Sequence, residues 1–455
     1  MIFEEMDWRP PHEVFAAYLG EPFAHLLHAG ARTQDIGWSI LVARPTDFFE
    51  LHEGRGTLNG ALIDGEPLHT FDRLLEARRR AISLPQTPFL TGAIGHIGYE
   101  AGALFEPAAR GPQSPFVLPD LAFGFYDAAL LFDRVRGRAY AASLDPHSLN
   151  RLLEHHNEKD ESTGAIIAGP VSSNFSYKDY CRAVDAIIEA ILRGDIFQAN
   201  IAQHLTTALT GGTAFDLFCK VSEASDAPYG AFFQYKGGDI ISNSPERFFK
   251  VTGDGDARRI VVEPIKGTRP RGATPDEDQE LARSLLTDPK DRAENIMIAD
   301  LMRNDLSIIC DDQSIKEDAI CALESYASVH HLVSRISGVL RKDVTAVDIL
   351  KALFPSGSIT GAPKIEAMRK IAIAEPVGRG PYCGAHGFID DRGFSDFSVS
   401  IRTMIAENHD EGKKLTFPVG GGITARSAAT AEHAETLVKA RSFLRALGID
   451  EASIK

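Results

Sequence analysis

Up to about residue 145 the chain consists of short apolar and aromatic runs, at 36–42, 91–99 and 121–132, each closed off by clusters of Gly and Pro. Runs of this kind, bounded by turn formers, predict strands. A chain that opens this way must pair strand with strand before it can bury much apolar surface. The pattern changes after residue 175. Ser176-Tyr177-Lys178-Asp179 has the form of a capping box, and Tyr180, Val184, Ile187, Ile188 and Ile191 recur at helical spacing until Gly194 stops the run. This predicts a helix over 177–193. Residues 196–209 are rich in β-formers and predict a strand with Phe197 and Gln198 near its start. Further helices are predicted over 277–287, 291–306, 346–353, 363–373 and 430–447, with strands between them, so the fold class is α+β. Between the two patterns, 146–174 carries Glu158-Lys159-Asp160-Glu161, then Gly164, Gly169, Pro170 and Ser172-Ser173. That is the composition of a surface linker, and it divides an N-terminal domain over 1–145 from a larger one over 175–455.

A net charge of −15 argues against nucleic acid or an anionic membrane as partner, since both require clustered Lys and Arg. Five scattered cysteines form no Cys-x-x-Cys pair, which argues against a disulfide framework or zinc ribbon and for a reducing compartment. The first residues show no targeting pattern, and no apolar run reaches the length of a membrane span. A cytoplasmic location is the expectation.

Chemistry concentrates in a few places. Pro264-Ile265-Lys266-Gly267-Thr268-Arg269-Pro270-Arg271-Gly272 reads as a stiff turn offering one amine, either a solvated loop lysine or a nucleophile whose pKa a pocket lowers. Asp291 and Glu294 lie on one helical face, as do Glu432 and Glu435 with Lys439. These are either solvated helix faces or, facing each other, an oxygen-only site suited to Mg²⁺. Leu437, Ala440, Leu444 and Leu447 occupy the opposite face of the last helix, which leaves the acidic stripe off the buried side. Glycine-rich turns at 355–364 and 419–423 offer backbone amides to an anion, but neither has the order of a nucleotide-binding loop. Arg402 suits a carboxylate or a structural ion pair. Glu246 beside Phe248 is a general acid with a raised pKa or a surface acid paired with Arg247. Of His330 and His331, one packed and one solvated is the default.

SPERF at 244, PIKGTRPRG at 264, DRAENIMIADLMRNDL at 291, FPSGSITGAPK at 354, IRTM at 401, GGGI at 420 and AEHAET at 431 form a set. On these motifs the chain resembles the chorismate-utilising enzymes over nearly its whole length. The resemblance implies a two-layer β-sheet sandwich with helices on the outside. It also implies Mg²⁺ on Glu294 and Glu435, with Asp291 and Glu432 supporting it through water. Arg402, Tyr382, Lys439 and the amides of Gly420, Gly421 and Gly422 are implied to hold the enolpyruvyl arm of chorismate, with Thr360 and Gly361 lining the pocket and His331 near the ring. Water-using members carry a lysine base where this chain has Gln198, so ammonia is the implied nucleophile.

Members that make anthranilate read alanine at the position of Lys266, whereas lysine marks those that aminate C4 to give 4-amino-4-deoxychorismate for para-aminobenzoate and folate. That implies a covalent step at Lys266, with Glu246 protonating the departing hydroxyl. Anthranilate formation, or a non-catalytic chorismate-binding subunit, is the alternative. Leu26-Leu27-His28-Ala29-Gly30 departs from the Leu-Leu-Glu-Ser of the family's tryptophan feedback pocket, so feedback by tryptophan is not expected. No cysteine sits in a nucleophile elbow, and ammonia is therefore expected from a separate glutamine amidotransferase subunit.

Overall fold

In a computed structural model, which describes residues 1–30, 37–82, 87–154, 164–225, 227–253, 258–326, 329–409, 412–451 and 454, the strands form two sheets with antiparallel pairing between all described partners. The first runs Ile2–Met6, Arg138–Ser143, Ala128–Asp133, Trp38–Val42, His25–His28, Tyr229–Tyr235, Gly238–Ser244, Thr403–His409, Gly412–Ile423, Gln198–Gly211 and Ile167–Ala168. The second runs Ile265–Pro270, Val329–Val339, Arg259–Val262, Arg247–Thr252, Ser395–Val399, Ala385–Asp390, Gly92–Ile97, Leu121–Tyr126, Asp47–His52, Arg55–Leu58 and Ala61–Leu62.

Strand periodicity explains the layering. Ile40 and Val42 enter a core between the sheets together with Ile94, Tyr126 and Phe388, while Leu41 and Ala43 turn to the other face and pack with Phe215, Phe218 and Phe443 of flanking helices. In the second sheet, Phe123 and Phe125 face a helix-covered core that contains Phe71, Ile298 and Leu350. The result is helices, sheet, sheet, helices: the α+β sandwich with outer helices expected from the sequence. Both faces of most central strands are buried, which is why they read as continuous apolar runs.

The predicted helices form, with small shifts at their starts. Tyr177–Leu192 is capped by Ser176, whose side chain accepts from the Asp179 N–H. Pro275–Thr287 and Pro289–Ser307 begin earlier than predicted because a capping Thr274 or Asp288 precedes a proline at the first helical position. Pro67–Ala77 is an additional helix within the strand-rich opening. The segment 146–174 holds a helix, Pro146–Leu153, capped by Asp145, and two short strands that pair with Gln198–Gly211. Its run 158–161 lies outside the described residues. Strands from either side of this segment share both sheets: His25–His28 pairs with Tyr229–Tyr235, and Gly92–Ile97 with Ala385–Asp390.

The layers also bury neutral imidazoles. Burial pushes His25, His28, His204 and His386 down to about 3 and His96 to about 4. His96 Nε2 meets the Pro119 carbonyl at 3.0 Å, so that nitrogen donates and Nδ1 accepts from the Tyr235 hydroxyl at 2.8 Å. In the unfolded chain these rings take a proton near pH 6.5. Folded, they do not, so stability falls as pH drops below about 6.5, by about 1.4 kcal/mol per histidine per pH unit once the unfolded rings are charged. The melting temperature is expected to fall steeply between pH 6.5 and 5. A flat calorimetric profile across that range contradicts this.

Candidate active site

The segment around Lys266 is an edge strand, Ile265–Pro270, where the sequence suggested a turn. Ile265 pairs with Val333 and Thr268 with His331, so Lys266 and Gly267 form a bulge. Gly267 takes φ +84°, and a Cβ there would meet Leu285 and Asp291 at 2.9 and 3.0 Å. Glycine is therefore required for the helix Pro289–Ser307 to approach, and the bulge turns Lys266 inward. Its Nζ donates to the Ser358 carbonyl at 3.0 Å. Burial lowers the Lys266 pKa and Lys439 adds to this, against the pull of Glu246, Glu294 and Glu435. A solvated loop lysine is thereby set aside.

Glu246 immediately precedes the strand Arg247–Thr252 and is 4% exposed. Burial raises its pKa to about 7, opposed by a hydrogen bond from Ser358, by Lys266 and by the Ile265 backbone. Its Oε1 has no hydrogen-bond partner. Arg247 pairs with Glu263 and Asp396, so the surface pairing of Glu246 with Arg247 does not occur.

Gln198 begins the strand Gln198–Gly211, and neither atom of its buried amide has a partner. A Cβ on Gly422 would lie 2.6 Å from Gln198 Nε2 and 3.7 Å from Lys266 Nζ, which puts those two groups over one glycine. Next to it, a Cβ on Gly421 would meet Glu432, Lys439 and Glu435 at 3.3, 3.6 and 3.9 Å. The absence of side chains at Gly421 and Gly422 thus leaves room for these groups. Gly361, at φ +152°, backs directly onto the Gln198 carbonyl, and Thr360 Oγ1 donates to Ser356 O at 2.9 Å.

The two acidic helices converge here. Asn295, fully buried, donates to Leu332 O at 2.9 Å and fixes the helix Pro289–Ser307 against the strand bearing His331. This turns Glu294 into the site, where its Oε1 has no hydrogen-bond partner and burial raises its pKa. Lys290 lies 3.8 Å from that oxygen. Glu432 is buried, against the expectation from the apolar stripe, because its turn of the last helix, Ala429–Leu447, packs over Gly421. Burial raises its pKa, with Glu435 adding to the rise. For Glu435 burial also acts upward, but Lys439, Lys290 and Lys266 together outweigh it and lower the pKa. Asp291 is ion-paired to Arg269 at 3.0 Å. No three metal-binding side chains among the described residues close on one point. The orphan oxygen of Glu294 and the paired carboxyls above Gly421 fit a hard cation that keeps waters and takes further oxygens from a ligand.

Lys439 donates to Gly420 O and pairs with Glu435, both at 2.8 Å. Arg402, at φ +48°, carries no ion pair or side-chain hydrogen bond among the described residues, and burial lowers its pKa. It neighbours His331, whose pKa burial brings down to about 4 and whose Nδ1 lies 2.9 Å from Thr268 Oγ1. His330 is also buried, against Asp278 and Ser325, so neither histidine is solvated. Tyr382 is buried on the loop before Ala385–Asp390. Leu27, His28 and Ala29 line a separate cavity of about 100 Å³ with Trp38 and Tyr229. A larger cavity, about 290 Å³, is lined by Glu100, Phe116 and Met368 and includes none of the candidate residues.

Sequence reasoning missed Ser358 and the Arg379–Glu375 pair. Arg379 is 1% exposed and donates to Asn200 O and Ile359 O at 2.7 and 3.0 Å, while Glu375 accepts from the Ala202 N–H at 2.8 Å. This clamps the 356–360 loop onto the strand bearing Gln198. Ser358 lay within the quoted FPSGSITGAPK run; the Arg379–Glu375 pair had no such local signal.

The sequence and the fold have known relatives. The chorismate binding enzyme family matches residues 25–445. The chain belongs to the chorismate-binding enzyme family. It is 35% identical to aminodeoxychorismate synthase component 1 of Klebsiella aerogenes, over 97% of this chain and 98% of that one. It is 34% identical to anthranilate synthase component 1 of Synechocystis, over 94% and 91%. Among solved structures, anthranilate synthase component I from Streptococcus pneumoniae superposes with a TM-score of 0.78 at 30% identity, covering 91% of this chain and 93% of that one. Membership of the chorismate-binding family accounts for the two-sheet sandwich.

Proposed function

We propose that the protein aminates chorismate at C4 with ammonia, giving 4-amino-4-deoxychorismate, and that Lys266 is the nucleophile of a covalent first step. The observation that carries this is a largely buried amine beside a buried acid, with the Gln198 amide where an activating base for water would be needed. In the first step Lys266 nitrogen bonds to C2, the ring double bonds shift, and the C4–O bond breaks as Glu246 gives its proton to the departing hydroxyl, which leaves as water. In the second, ammonia bonds to C4, the double bonds shift back, and the C2–N bond breaks to release the amine. The protons shed by the two nitrogens restore Glu246 and leave Lys266 neutral.

Glu294, Glu435 and Glu432 would hold Mg²⁺, with Asp291 contributing less because Arg269 already engages it. Bound there, the cation would neutralise carboxylate charge on the substrate and draw electron density from its ring. Arg402, the one largely buried guanidinium here without an acidic partner among the described residues, is the group best placed for a second carboxylate, with Tyr382, Thr360 and Gly361 as walls. Lys439 can reach the substrate only by sharing its contact with Glu435. Ammonia would come from a glutamine amidotransferase subunit, consistent with the component 1 naming of the relatives.

Purified protein incubated with chorismate, magnesium and ammonium chloride is expected to consume chorismate and form no anthranilate. An aromatic amine should appear only when an aminodeoxychorismate lyase is added. The anthranilate synthase relatives keep C2 amination as a second reading, and fluorescent anthranilate formed without a lyase would establish it in place of the first.

A further inference from the structure

One serine touches both groups on which the proposed chemistry turns. The Ser358 carbonyl accepts from Lys266 Nζ at 3.0 Å, and its side chain lies close enough to the Glu246 carboxyl to favour the charged form. Its Oγ lies 3.1 Å from Ser356 Oγ, which gives the hydroxyl a hydrogen-bond partner away from Glu246. The residue is buried and its backbone is held on both sides: Arg379 grips the Ile359 carbonyl at 3.0 Å, and Thr360 Oγ1 grips the Ser356 carbonyl at 2.9 Å.

We infer that Ser358 is a positioning residue for C4 amination, its carbonyl fixing the Lys266 amine and its hydroxyl following the charge on Glu246. The inference rests on the functional reading of Lys266 and Glu246 above. A neutral amine that donates one N–H to the carbonyl keeps its lone pair directed elsewhere, free to attack. While Glu246 is protonated, the Ser358 hydroxyl can turn to Ser356. Once Glu246 has given up its proton, the same hydroxyl donates to the new carboxylate, a charge-assisted bond from a donor already in place. The titratable groups that face Glu246 are Lys266 and, within electrostatic reach, Cys383; no other acid lies against it among the described residues.

The test compares wild type with Ser358→Ala, Ser358→Thr and Ser358→Cys in the ammonium-dependent assay across pH. Ser358→Ala keeps the main-chain carbonyl and removes only the hydroxyl. Losing one hydrogen bond to a charged group predicts a kcat about 10- to 100-fold lower with KM for chorismate little changed. The alkaline limb of the profile should move to higher pH, because Glu246 loses a donor that favours its charged form. Ser358→Thr should restore both values, and Ser358→Cys, a weaker donor, should fall between and serves if the alanine variant does not fold. A folded Ser358→Ala enzyme with the wild-type limb and kcat overturns the proposal. A wild-type enzyme that yields no C4-aminated product shows the functional reading itself to be wrong, and the proposal falls with it.

Discussion

Lys266→Ala is expected to lower C4 amination by at least about a thousandfold while leaving the fold and the binding of chorismate in place. The amine lies in the bulge of an edge strand, so truncating it removes no core packing. What it removes is the amine to which the proposed mechanism gives the first bond to carbon. Burial lowers its pKa, which leaves a larger neutral fraction for attack than a solvated lysine would have. Lys266→Arg should fail equally, since a guanidinium keeps its proton at any working pH. The measurement is lyase-coupled product formation alongside calorimetric titration with chorismate and magnesium. An alanine variant that binds chorismate and still forms product at the wild-type rate removes the covalent step.

Glu246→Gln should cost about 10²- to 10⁴-fold in kcat, the usual worth of a positioned acid. Its effect on stability should have the opposite sign. The folded pKa, about 7, lies above the unfolded value of 4.5, so the unfolded chain gives up this proton first as pH rises. The folded state therefore loses stability between about pH 4.5 and 7, on the order of 1–3 kcal/mol that persists above pH 7. Glutamine avoids this loss. The variant should melt higher than wild type at pH 8, with the difference shrinking toward pH 5. Wild-type activity should fall on the acid side as Lys266 takes a proton and on the alkaline side as Glu246 loses one, with apparent values that belong to the coupled pair. Loss of activity without any gain in melting temperature at pH 8 would mean that Glu246 is not held against its charged form.

Local chemistry was legible. The helix Tyr177–Leu192 formed where a capping serine and an apolar stripe required it, and prolines at Pro275 and Pro289 moved two helix starts by the few residues that a first-turn proline explains. Facing and burial were less so. Lys266 read as a turn residue because prolines and glycines surround it, but its neighbours pair with Val329–Val339 in an edge strand. Glu432 and the histidine expected to be solvated were misjudged for one reason: burial depends on what lies opposite, and Gly421, Asp278 and Arg402 lie outside the few residues over which periodicity acts.

By itself the sequence determined the elements and the inventory of reactive groups, because capping, periodicity and motif chemistry act over a few residues. It also carried the resemblance that assembled those groups into one expectation. Only the tertiary structure decided that strands from both ends of the chain share each sheet, that Gln198 and Lys266 meet over Gly422, and that Ser358 touches both the amine and the acid. Those facts depend on which strands pair across hundreds of residues and on which side chains lose water when they do. Desolvation in the assembled core, not residue type, is what moves Glu246 and Lys266 toward each other in pKa.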